Sequence, residues 1–246
     1  MKKTRHSGKK QGIEWPPLIP GILIKRYKRF LADVRLNDGG MVTAHCPNSG
    51  TMKACAEPGR PVYLSYHDTP RRKLKYTWEM IDMPDSLVGV NTLIPNKLVK
   101  KSIEDGWVNE LKTYDQVHSE VKISQGSRLD LLLRKQSGES CFVEVKNCTL
   151  VEDKTAYFPD AVTTRGRKHL LELQRLASEG NRCAMFYLIQ RMDAEQFKPA
   201  DHIDPAYGKE LRQAYNNGVE ILVYDVKIDL MRIMLNRKIP YEIDRV

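Results

Sequence analysis

No stretch of this chain approaches the roughly 18–20 consecutive apolar residues that a helix needs to cross a bilayer, so a membrane partner is not expected. Cysteine is scarce: the five residues (46, 55, 141, 148 and 183) form no C-x-x-C pair, and an odd count suits reduced thiols better than a disulfide framework. The first ten residues are basic, but no apolar core follows them, so they do not read as a secretory signal. Internal repeats and low-complexity linkers are missing, as is the recognition helix of a sequence-specific repressor. These absences predict a cytoplasmic globular protein.

What is present is a chain of ordinary polarity, 41% hydrophobic and 29% charged, whose 246 residues can bury one large core or two modest ones. Its net charge of +9 is unevenly placed: residues 1–85 carry 16 Lys/Arg against 8 Asp/Glu, whereas residues 86–246 carry 24 against 23. The densest basic runs are residues 2–10 and Lys25-Arg26-Tyr27-Lys28-Arg29, the second interleaved with Tyr27 and followed by Phe30. Lys25, Arg26, Lys28 and Arg29 are therefore candidate nucleic-acid contacts, since cations beside aromatics suit a phosphate backbone with stacked bases. A solvated tail and an ordinary charged strand account for the same runs.

Three parts are expected: a basic flexible arm over 1–17 ending in Trp15-Pro16-Pro17, a small β-barrel of the OB type over 18–85, and an α/β domain with a mixed sheet over 86–246. In the barrel, 22–36 reads as one long or bent strand. Asp38-Gly39-Gly40 is a hairpin turn, and 41–46, 62–66 and 76–83 are further strands. After Pro84 the pattern predicts a helix capped by Asn96 and running from Lys97 to Asp105, broken or continued to Leu111. Strands at 117–124, 128–134 and 141–147 follow, then a loop through Tyr157-Phe158-Pro159-Asp160. A helix over 166–178, with Leu170, Leu171, Leu173 and Leu176 at helical spacing, leads to a buried strand at 183–189. A helix over 207–216 and a strand at 219–226 complete the reading.

Glu144 and Lys146 stand two residues apart on a strand and so share a face, while Val143 and Val145 point to the other. The short turn at 135–139 makes 128–134 the antiparallel neighbour, which can bring Asp130 near Glu144. Two acids and an ammonium then meet in apolar surroundings, a pairing that is stable only with a cation between the carboxylates. Mg²⁺ (or Mn²⁺) is satisfied by one or two carboxylates plus water and phosphate. Lys146 would orient the attacking water and offset charge on the phosphate. The bland alternative is an ordinary ion pair on a half-exposed strand face.

Asp130, then Glu144-Val145-Lys146, in an αβββαβ frame resembles the PD-(D/E)xK nuclease superfamily. Leu23 to Asp33, His45-Cys-Pro-Asn-Ser-Gly50, Val90-Asn-Thr-Leu93, Ser127-Arg-Leu-Asp130, Val143-Glu-Val-Lys146, Tyr157 to Thr163 and Arg165 to Leu170 resemble the sugar fermentation stimulation protein (SfsA) family more closely. That resemblance implies an OB-like barrel followed by a nuclease-like domain, DNA binding of low sequence specificity, and a regulatory role in sugar (maltose) metabolism. It implies Asp130 and Glu144 as metal ligands, Lys146 as the catalytic lysine, and a further acid for which Glu110, then Glu120, are the candidates. Leu129, rather than proline, precedes Asp130. A non-cleaving DNA-binding regulator is the alternative to a DNA nuclease, with RNA or a small phosphorylated ligand a weaker third reading. A homodimer is left open.

Arg165, Arg167, Lys168 and His169 begin the helix after the acidic strands and are candidate phosphate contacts, against the alternative of solvated charges. Asp160 reads as a turn former before a further acid, and Gln174 as a surface position before a site residue. Zinc on His45, Cys46, Cys55 and His67 fits no familiar ligand spacing, and a Cys/His nucleophile pair is equally unsupported. Trp78 and Tyr76 read as core before base-stacking platforms.

Overall fold

The computed structural model describes residues 11–124 and 126–243, and the basic run at 2–10 lies outside the described residues. The chain enters through a two-residue strand, β1 (Ile13–Glu14), that pairs antiparallel with the last strand of the C-terminal sheet, Ile13 opposite Ile233. The end of the expected arm is thus docked: Ile13 and Trp15 both pack on the core around Ile233 and Leu235. Trp15 also donates from its main chain to Met231 O (3.0 Å) and from its indole to Asp229 O (2.9 Å).

The barrel follows, in strands β2 (Leu18–Tyr27), β3 (Leu31–Leu36), β4 (Met41–His45), β5 (Pro61–Tyr66) and β6 (Tyr76–Met83). Antiparallel ladders join β4–β3–β2–β5–β6, and a short parallel pairing of β4 with β6 (Ala44 opposite Tyr76) closes the ring. It is a five-stranded closed barrel of OB type, with β7 (Ser86–Gly89) appended to β6. The single bent strand expected over 22–36 is instead a hairpin. Its turn places Lys28 and Arg29 at φ +47° and +67°, a conformation their residue types do not announce. The interior is filled by Leu23, Val34, Val62, Leu64 and Trp78, all fully buried, so Trp78 is core.

The second domain runs α1 (Ile94–Glu104), β8 (Gln116–Ser124), β9 (Ser127–Arg134), β10 (Ser140–Cys148), β11 (Leu150–Glu152), β12 (Thr155–Phe158), α2 (Thr164–Ser178), β13 (Arg182–Ile189), β14 (Gln196–Pro199), α3 (Pro205–Asn216), β15 (Glu220–Ile228) and β16 (Arg232–Lys238). Within it α1, β8, β9, β10, α2 and β13 form the expected nuclease-like αβββαβ frame. The mixed sheet has the order β1-β16-β15-β13-β10-β9-β8, with β10, β13 and β15 parallel at its centre. One face packs on α1 through Leu98, Val99, Leu131, Val143 and Val145. The other packs on α2 and α3 through Leu170, Leu173, Tyr187 and Tyr207. Strand β13 is covered on both faces, so it reads as an unbroken apolar run, not an alternation. Leu171 departs from its expected place on the buried stripe and is 54% exposed.

α1 starts earlier than expected: Pro95 occupies its first turn and Leu93 its N-cap position, with no side-chain cap. Asn96 is thus inside the helix and free to serve another partner. Among the described residues no helix is long and apolar enough to cross a membrane.

Candidate functional site

The ladder between β9 and β10 is regular from Arg134 opposite Ser140 to Leu131 opposite Val143, and then it opens. The next residue on each strand is an acid, and each carboxylate takes over a main-chain N–H of the opposite strand. Val145 N donates to Asp130 Oδ2 (2.8 Å) and Asp130 N donates to Glu144 Oε2 (3.3 Å). The two carboxylates are therefore built into the gap between the strands, held by the backbone itself.

Glu144 is only 2% exposed, and its Oε1 accepts from Lys146 Nζ (2.6 Å) and contacts His169 Nδ1. Lys146 Nζ and His169 Nδ1 stand 3.2 Å apart. Asp130 Oδ1 accepts from Asn96 Nδ2 at 2.7 Å. Burial, then the charge of Glu144, pushes the Asp130 carboxyl up to about 6, with Val145 N–H, Lys146 and Asn96 offsetting part of the rise. Burial also works to raise Glu144, but the His169 hydrogen bond and the Lys146 charge outweigh it and hold Glu144 below the usual carboxylate range. The centre thus pairs a firmly ionised acid with one whose charge is only partly matched.

A cleft of about 520 Å³ opens over this centre. Its far wall is the barrel loop at Asn48–Gly50, and Asn96, Arg29, Tyr157 and Arg165 also line it. The loop is fastened from both sides. Arg26 donates to the carbonyls of Asn48 (2.9 Å), Gly50 (2.9 Å) and Thr51 (3.1 Å). Asp160 receives Met52 N (3.1 Å) on its carboxylate and Thr51 Oγ1 (2.9 Å) on its carbonyl. Gly50 permits this contact, because a Cβ there would lie 2.9 Å from Asp160 Cγ. Gly50→Val is expected to unseat the loop and cost about 1–3 kcal/mol, the usual range for overpacking. Thermal melting checks this, and an unchanged melting temperature would mean that the loop is not latched through Asp160.

The other expected residues fall into three groups. Asp130, Glu144 and Lys146 converge, and His169, expected as a phosphate contact, joins them from α2. Its place was legible: it shares the buried stripe with Gly166, Leu170, Leu173 and Leu176. Asn96 was missed because it reads as a helix cap. A second group stands elsewhere. Glu110 accepts from Tyr224 Oη and Lys238 Nζ (both 2.7 Å), and Glu120 stands 3.8 Å from Arg128 and is largely exposed, so neither supplies a third acid beside Asp130 and Glu144. Arg26 is spent on carbonyls, Asp160 on the loop, and Gln174 on Glu210 (2.6 Å) and Asn217 (2.8 Å) between α2 and α3. A third group is exposed: Lys25, beside Asp33 at 3.7 Å, and Lys28 and Arg29 in the β2–β3 turn, of which Arg29 reaches the cleft. Arg165 lines the cleft too, and Lys168 donates to Gly126 O at 3.3 Å.

The zinc set does not assemble. Cys46 and Cys55 turn into the barrel core, whereas His45 and His67 line a separate cavity of about 290 Å³. All five cysteines are free and buried, and burial pushes the thiols of Cys55, Cys141 and Cys183 up to about 12, which disfavours the thiolate there. Among the described residues no cluster of three or more His, Cys, Asp or Glu side chains has metal-binding geometry. The donor set nevertheless fits a hard divalent ion, which needs only one or two carboxylates with water. The uncompensated charge on Asp130 is what such an ion would neutralise.

Residues 24–90 match a family model described as the SfsA N-terminal OB domain, and residues 93–232 match the sugar fermentation stimulation protein RE domain. A sugar fermentation stimulation protein homolog of Geotalea uraniireducens is 55% identical over 85% of this chain and 90% of its own. One of Pelobacter propionicus is 52% identical over 92% and 97%. Among solved structures, that of Pyrococcus furiosus SfsA in complex with Ca²⁺ superposes with a TM-score of 0.87 at 28% identity, covering 96% of this chain and all of the other. The barrel, the αβββαβ frame and these likenesses agree: the chain belongs to the sugar fermentation stimulation protein family.

Proposed function

We propose that this protein binds DNA with low sequence specificity and hydrolyses its phosphodiester bonds with a divalent cation, Mg²⁺ or Mn²⁺. The observation that carries this reading is the pair of carboxylates, Asp130 and Glu144, fixed in the gap between β9 and β10 with Lys146 beside them. Asp130 and Glu144 would hold the ion, which when bound polarises a phosphoryl oxygen and makes its water more acidic. The Ca²⁺ in the Pyrococcus furiosus relative supports a divalent cation in this family.

The chain's own residues do the rest. Asn96 and Val145 N–H fix the Asp130 carboxylate, and His169 with Lys146 keeps Glu144 ionised. Among the described residues Lys146 is the one ammonium at the centre, and it can offset charge that gathers on the phosphate. Arg29 of the β2–β3 turn and Arg165 of α2, both lining the cleft, supply the backbone contacts, and contacts of this kind carry no sequence information.

A second reading, a non-cleaving DNA-binding regulator of sugar metabolism, is favoured by one observation: Glu144 Oε1 is already satisfied by Lys146 and His169 without any metal. A plasmid-nicking assay separates the two. Purified protein should nick supercoiled DNA in Mg²⁺ or Mn²⁺ and not in EDTA. DNA binding without nicking in either metal would leave the regulator.

A further inference from the structure

Beside the cleft lies a second groove of about 720 Å³, between the β8–β9 turn and the start of α2. Arg165 and His169 line both spaces, so the groove continues from the acidic centre. Its walls carry Lys122 of β8, Arg128 of β9, and Arg165 and Lys168 of α2, and among the described residues no carboxylate lines it. Glu120 does approach Arg128, at 3.8 Å, but both side chains are about two-thirds exposed or more (77% and 68%), and such a pair is weak in water. The groove also takes in the first turn of α2, a 15-residue helix whose leading N–H groups and dipole favour an anion.

An independent observation points to an occupant. Ser127 lines the groove and is 4% exposed, yet its Oγ has no hydrogen-bond partner among the described residues. A buried hydroxyl left unpaired costs about 1–3 kcal/mol, and an occupant with acceptor oxygens would remove that cost. Cations, helix start and an orphan hydroxyl together fit a tetrahedral oxyanion better than a base or a sugar.

We infer that this groove is a phosphate subsite, in which Ser127, Arg128, Lys122 and Lys168 hold one phosphate of a nucleic-acid strand while another lies over Asp130 and Glu144. The inference rests on the proposed nucleic-acid substrate and deepens it. Arg165, facing both spaces, links the two positions. The subsite lies on the α2 side of the centre, away from the barrel loop, so the strand leaves the cleft along α2.

The test uses the full chain in EDTA with a short fluorescein-labelled DNA strand, and affinity is read by anisotropy across a salt series. Each lost phosphate contact should flatten the slope of log K against log salt by about 0.7 for a single strand, so Arg128→Ala/Lys168→Ala, which loosens the one phosphate in the groove, should flatten it by about 0.7. Both side chains are exposed, and circular dichroism checks that the fold survives. Ser127→Ala, which removes no charge, should weaken binding about threefold to tenfold with the slope unchanged. Lys209→Ala, on the exposed side of α3, should change neither. Strands with a 5′-hydroxyl and a 5′-phosphate distinguish the two sources of the group: equal affinity places an internal phosphodiester in the groove, and tighter binding of the 5′-phosphate places a terminal one. A native slope in the double variant, with binding retained, overturns the subsite alone. Failure of the unmodified protein to bind DNA overturns the nucleic-acid reading and the subsite with it.

Discussion

Glu144→Ala should lower metal-dependent nicking by at least about 10³-fold while leaving DNA affinity within about threefold. Loss of one preorganised electrostatic group at a reacting centre typically costs 10²–10³ in rate, and in the proposed function the same side chain would also hold the ion. Binding should survive because the proposed phosphate contacts belong to other side chains lining the cleft and groove, Arg29, Arg165 and Lys168 among them. Stability has to be followed in parallel. Removing Glu144 leaves Lys146 and His169 facing each other without their shared acceptor, and breaking such a buried pair costs about 3–5 kcal/mol. Glu144→Gln keeps an oxygen for Asp130 N–H and most of the packing, so it separates loss of chemistry from loss of fold. Nicking that persisted in both Glu144→Ala and Asp130→Ala would come from a contaminant, and the site assignment would fall.

The centre of the fold was legible in the residues because its signals are local and long. β9, the short turn at 135–139 and β10 form an uninterrupted hairpin, β13 is a run of buried apolar residues, and Gly180 and Gly218 mark the ends of α2 and α3. Most of the unread elements are short or atypical, the seven-residue β16 beyond the last expected strand being the exception. β7, β11, β12 and β14 are only three or four residues each, too few for a period to show. β1 is held by a partner more than two hundred residues away, which no local pattern encodes. The hairpin at Lys28–Arg29 lacks the glycine or asparagine that usually marks a positive φ.

The same distinction explains the site. Asp130, Glu144 and Lys146 sit on neighbouring strands, so strand alternation and one turn bring them together. The supporting contacts arrive from α1 and α2: helical spacing puts His169 on the buried stripe of α2, but only tertiary packing brings it and Asn96 to the centre. Basic residues were the least legible, because charge does not say what it faces. Arg26 and Arg29 belong to one run, yet Arg26 binds three carbonyls and Arg29 lines the cleft. Glu110, expected as a further acid, lies beyond α1 in a short 3₁₀ turn, where Lys238 and Tyr224 take its carboxylate.

Asp130→Asn should make the metal-free protein more stable at pH 7.5 and abolish any gain from added cation. The folded-state carboxyl sits at about 6, above its ordinary 3.8, because burial and Glu144 disfavour its charge. Between those two values the folded state binds more protons than the unfolded one, so stability falls as pH rises through that window. The stabilising contribution is complete below about pH 4 and lost above about pH 6. At neutral pH the ionised carboxylate therefore costs the apo protein about 2–3 kcal/mol, taking 1.36 kcal/mol per pKa unit. An asparagine carries no charge to desolvate and can still accept from Val145 N–H or Asn96. Its melting temperature should exceed that of the native protein at pH 7.5, with the difference vanishing near pH 4. Divalent cation should produce the opposite pattern, raising the native melting point at pH 7.5 by mass action, about 2.7 kcal/mol at a hundred times Kd. The variant, short of one ligand charge, should show little or no such rise. Equal cation-induced shifts in the two proteins would place the ion away from Asp130, and a variant no more stable than the native chain at pH 7.5 would mean that its carboxylate is not strained by burial.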